Sequence, residues 1–100
     1  MKIDAPDLSV IDEAIDRIAS GKNTYSCLAL ESAAMARKTG YADAKKYIRQ
    51  YCMVICGVDN SHEPYWWDMA SSREELKKAR IQALLKFRQA CIDAAKKESA

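Results

Sequence analysis

The chain has 100 residues, enough for one domain and too few for two independent cores. Apolar residues make up 49%, which supports a packed core and argues against wholesale disorder. The net charge of +2, from 16 basic and 14 acidic residues, is too small to mark a nucleic-acid binder by itself. Three Gly and two Pro set against 16 Ala favour helices over a turn-rich β sandwich. No window is apolar for about 18 residues, so no membrane-spanning helix is expected. Lys2 is followed by Asp4 and Asp7 without an apolar run, which is not a secretory signal. The expected setting is therefore cytoplasmic, with Cys27, Cys52, Cys56 and Cys91 as reduced thiols.

The first helix is bracketed on both sides. Ser9 followed by Asp12 is a weak capping box, and Asp7 after Pro6 is the competing cap. Leu8, Ile11, Ile15 and Ile18 share one face, with Ala14 beside them, and Gly21 stops the helix. A second helix is expected from Thr24 to Lys38, capped by Asn23 or Thr24. It is apolar nearly all round, which is the mark of a central helix.

The third helix is predicted over residues 41–56. Tyr41, Ala44, Ile48, Tyr51, Cys52 and Ile55 form its stripe, Lys45, Lys46 and Arg49 its polar side, and Gly57 its end. Pro64 suits the first turn of a short helical segment in which Tyr65, Trp66 and Trp67 follow one another. Adjacent helical residues point about 100° apart, so one buried face does not take all three rings. The last helix starts after Ser71 or Ser72, each followed three residues later by Glu, and runs to about Lys97. Its stripe of Leu76, Ala83, Phe87, Ala90 and Ala94 is widened by Ile81, Leu84, Leu85, Cys91 and Ile92. Such breadth calls for two neighbours, or one neighbour and a second copy of the chain.

The expected fold is all-α. Four main helices form one domain over residues 1–100, with a short aromatic helical turn before the long last helix. The core spans about residues 8–95 and the termini fray. Charge is patterned: residues 4–16 hold five acids and no base, and residues 77–88 hold five bases and no acid. The acidic first helix therefore either lies beside a basic helix or leaves the molecule with a basic face that attracts anions.

Cys52, Cys56 and His62 give a C-x3-C-x5-H spacing, without the tight knuckle of compact zinc sites, so no metal site and no cofactor is expected. Cys27 falls in the first turn of the second helix, where the dipole lowers a thiol pKa, but His62 is the only histidine to serve as its base. No G-x-S-x-G, P-loop, G-x-G-x-x-G or H-E-x-x-H motif occurs, and the chain reads as a non-enzyme without catalytic residues. The short Thr39-Gly40 break allows a helix-turn-helix, yet the third helix lacks the Arg, Asn or Gln cluster of base readout.

Two binding modes fit better. Tyr65, Trp66 and Trp67 are the residue types that anchor protein interfaces. Alternatively, an oligomer binds an anionic nucleotide or nucleic acid, with Lys45, Lys46, Arg49, Lys77 and Arg80 on phosphate and Tyr47 and Tyr51 stacking bases.

The Tyr25-Ser26-Cys27-Leu28-Ala29-Leu30 run, with Trp66-Trp67 and Ala79-Arg80-Ile81 further on, resembles small helical accessory proteins of phages and prophages. The resemblance covers residues 8–92, departs from the pattern at the double Trp, and carries over no site residues. It implies a setting in the bacterial host cytoplasm. There, such proteins block host defences by binding a protein such as a CRISPR effector, or by sequestering a signalling nucleotide. The leading expectation is thus a non-enzymatic, self-associating protein that occludes a host defence protein through Tyr65, Trp66 and Trp67.

Overall fold

The computed structural model describes residues 7–37, 41–57 and 72–99. They form a bundle of α1 (Leu8–Ala19), α2 (Ser26–Ala36), α3 (Tyr41–Cys56) and α4 (Arg73–Ser99), with no strand among them. The aromatic segment around Trp66 and Trp67, His62, and the Thr39-Gly40 break lie outside the described residues.

The cap of α1 is Asp7 rather than Ser9. The Ser9 amide donates to Asp7 Oδ1 at 3.0 Å and the Ser9 hydroxyl at 2.7 Å. Asp7 wins because its extended backbone places the carboxylate over the first free amides of the helix. Those two Ser9 bonds, the side-chain one first, hold its carboxyl below the ordinary carboxylate range. At the other end Gly21 takes φ +81°, the left-handed turn that suits a residue without a Cβ. Val10, Ile11, Ala14 and Ile18 are buried, with Leu8 and Ile15 packed at the edge. Val10 is the addition to the expected stripe.

α2 starts two residues later than its spacing predicts. Its cap position is Tyr25, with no side-chain cap bond. The Asn23 amide donates to the Arg17 carbonyl at 3.2 Å, and Asn23 Oδ1 accepts from Arg17 Nη1 at 3.4 Å. The loop residue expected to cap α2 is tied back to α1 instead. α2 ends at Ala36, and Arg37 reaches across to the start of α1, its Nε and Nη2 donating to Ser9 Oγ and the Ser9 carbonyl at 3.0 Å each. α1 and α2 are therefore antiparallel neighbours.

The bounds of α3 are those predicted, and Gly57 leaves it at φ +72°. Ala44, Ile48, Tyr51 and Cys52 are buried as expected, and Tyr47 and Gln50 join them. The Asp7 amide donates to the Tyr47 hydroxyl at 2.8 Å, which pins the first half of α3 beside the start of α1. Burial pushes the Tyr47 phenol above its ordinary pKa.

Ser72 caps α4, its Oγ accepting from the Glu75 amide at 3.1 Å, with Glu75 completing the Ser-x-x-Glu pattern. At 27 residues the helix is about 40 Å long, which matches the 42 Å long dimension of the molecule. It runs antiparallel to α1: Arg88 Nε meets Asp12 Oδ1 at 2.7 Å, while Arg80 lies near Ile18 at the far end. The acidic first helix thus does lie beside a basic one. Phe87 meets Tyr51 edge-on, ring centroids 5.8 Å apart at 78°, and Leu84 and Cys91 extend that core. Burial raises the Cys91 thiol to about 11, as for an inert core residue.

Candidate functional site

A cleft opens where α1 ends, α2 begins and α4 begins. Its volume is about 400 Å³, within the roughly 300–1,000 Å³ of small-molecule sites. Three cations line it from one helix: Arg73, Lys77 and Arg80. Their spacing of four and then three residues keeps all three on one face of α4. Ile18 and Leu76 supply an apolar floor, and the Gly21 turn keeps that wall low. Asn23 and Thr24 close the side, and among the described residues no Asp or Glu lines it.

Rigidity differs among the three cations. Arg73 and Lys77 are exposed on the first turns of α4. Arg80 is only 2% exposed, and its guanidinium carbon sits 4.8 Å from the centre of the Tyr25 ring. A buried guanidinium stacked on an aromatic face is held in one position. Tyr25 itself is 43% exposed and directly follows the lining residue Thr24.

The basic residues expected to act together do not share one surface. Lys77 and Arg80 meet in the cleft, joined by Arg73, which the reading of the sequence passed over although its spacing from Lys77 is visible there. Lys45, Lys46 and Arg49 are exposed on the first half of α3. That half lies beside Asp7, at the opposite end of α1 from Ile18 and Gly21. The separation along α1 is about 16 Å, from eleven residues at 1.5 Å each. The tyrosines expected to stack bases beside them are core residues: Tyr47 is 7% exposed and Tyr51 not at all. Interleaving with Lys and Arg suggested a surface, but on α3 positions 47 and 51 fall on the buried side together with 44 and 48.

A second surface feature lies on α2. Six of its eleven residues are buried, yet Leu28 and Met35 are each about half exposed, at seven-residue spacing on the outer side, with Tyr25 one turn before Leu28. Leu85 of α4 is similarly exposed.

Cys27 and Cys52 are buried and Cys56 partly so, and none of the four cysteines is in a disulfide. Among the described residues no three of His, Cys, Asp and Glu gather as metal ligands. None of the described helices is long and apolar enough to cross a membrane. No family model matches the chain, and comparison with curated proteins and with solved structures returned no match.

Proposed function

We propose that the chain is a non-enzymatic binding protein that acts by covering part of another protein. The observation that carries this reading is the exposure of Tyr25, Leu28 and Met35 along the outer side of α2, whose six buried residues already serve the core. Apolar side chains gathered on an exposed helix face mark interaction surfaces. Met adapts its shape to a partner, and Tyr is a frequent anchor of interfaces. Tyr65, Trp66 and Trp67 are the second set of anchors in this reading. The resemblance to phage accessory proteins supplies the setting: an inhibitor in a bacterial cytoplasm that occludes a host defence protein, with self-association as a further use of the same apolar surface.

The test is affinity capture from a bacterial lysate with quantitative mass spectrometry, comparing the full chain with Leu28→Asp/Met35→Asp and with Trp66→Ala/Trp67→Ala. Leu28 and Met35 are each about half exposed, and circular dichroism checks the fold of both variants. A partner enriched by the parent chain and lost with either variant supports the reading. An interface anchor lost to Ala weakens binding by more than about 2 kcal/mol. An identical set of captured proteins for all three chains overturns it. Sedimentation over a concentration series tests self-association, which the Leu28→Asp/Met35→Asp variant should abolish.

A further inference from the structure

The cleft at the start of α4 is a site of a different kind from the outer side of α2. Three cations line it and, among the described residues, no acid does, so the described lining favours an anion. Two helices start next to this lining. α4 begins at Arg73, and α2 begins at Ser26 with no side-chain cap and no acid in its first turn. Helix N-termini carry partial positive charge, and their first amides are donors without partners in the helix. α4 offsets its own with Glu74 and Glu75, whereas α2 has nothing of the kind.

The lining also says what the rest of the ligand is. A bare anion needs only cations and donors. This cleft has an apolar floor of Ile18 and Leu76 and a volume larger than one phosphate. Tyr25 follows the lining residue Thr24, and the guanidinium of the lining residue Arg80 stacks on its ring. Guanidinium groups pair with phosphate oxygens in a two-pronged fashion, and Lys77 adds a mobile point charge. Asn23 and Thr24 offer amide and hydroxyl groups suited to a sugar or a ring edge. We propose that this cleft binds a small phosphate ester of nucleotide size. Its phosphate would lie against Arg73, Lys77 and Arg80, and its organic part on Ile18, Leu76 and Tyr25.

Titration calorimetry of the full chain with AMP, ATP, inorganic phosphate and a short single-stranded oligonucleotide tests this. AMP or ATP should bind saturably at low salt and more weakly as salt rises, because exposed cations are screened. Arg73→Glu/Lys77→Glu, at two exposed positions, should cut that affinity by at least about tenfold with the helical signal unchanged. Lys45→Glu/Lys46→Glu, at the other end of the molecule, should leave it within about twofold. Bound nucleotide should also shield Lys77, and not Lys45, from acylation read by mass spectrometry. No saturable binding of either nucleotide at millimolar concentration overturns the proposal. So does equal loss in the two charge-reversal variants, or inorganic phosphate binding as tightly as AMP. An oligonucleotide that binds while the mononucleotides do not overturns it as well.

Discussion

Lys45, Lys46 and Arg49 on α3 and Arg73, Lys77 and Arg80 on α4 look alike in the sequence: three bases within one to two helical turns. Their surroundings differ. The α3 set is exposed on the flank of its helix, with the buried face of Ala44, Tyr47, Ile48 and Tyr51 turned away into the core. The α4 set faces the gap left where α1 ends and the loop turns at Gly21, and its last member is almost wholly buried against Tyr25. On α3 the cations are spread along an exposed flank, where solvent and salt screen their charge. A cleft gathers three of them around one small volume, with protein in place of water on several sides. Concavity, not the number of bases, separates a candidate site from a solvated face.

The largest expected effect probes the buried end of this contrast. Arg80→Ala removes a long buried side chain and its stack on Tyr25, and should lower stability by about 3 kcal/mol in urea unfolding. Arg80→Met, which refills much of the space, should recover part of that loss. A cost below about 0.5 kcal/mol for Arg80→Ala would place Arg80 with the solvated bases.

On α3 the anchor is the tyrosine within the basic run. Tyr47→Phe deletes the acceptor of the Asp7 amide and should cost about 1 kcal/mol, the size of one hydrogen bond. Asp7 itself gives a pH signature. Its pKa is lowered in the folded state, so its contribution is complete above the ordinary value of 3.8 and fades as pH falls through the lower, folded value. Asp7→Ala should be less stable than the parent at neutral pH, and the two acid-unfolding curves should converge at low pH. Curves that stay parallel would deny the carboxylate its capping role. The smallest effect belongs to the exposed side: Lys46→Ala should stay within about 0.5 kcal/mol.

Much of the architecture is legible in the residue order. α1 and α3 are written by periodic apolar residues and by Gly21 and Gly57, and α4 by the Ser72-x-x-Glu75 cap. The pairing of an acidic helix with a basic one is visible as charge blocks and appears as Asp12 against Arg88. The candidate site is legible only in pieces. Lys77 and Arg80 stand out by charge, but Arg73, Asn23 and Thr24 become lining residues only when the end of α1 meets the start of α4. Asn23 even looks like a cap for α2, and bonds to Arg17 instead because the turn at Gly21 folds the loop back.

Helix number, most helix ends and the amphipathic face of α1 follow from the sequence by itself, because caps, glycines and periodicity act within a few residues. Tertiary packing alone decided three other matters. α2 is apolar all round, so no periodicity says which side stays outside, and contact with α1 and α3 left Leu28 and Met35 there. Tyr51 lies on the stripe that periodicity marks, but Tyr47 sits off it among bases, and the neighbours of α3 drew it into the core as well. The cleft exists where the end of α1 and the loop to α2 meet the start of α4. Where separate elements stop relative to one another is set by how their faces dock, a property that no single stretch of sequence carries.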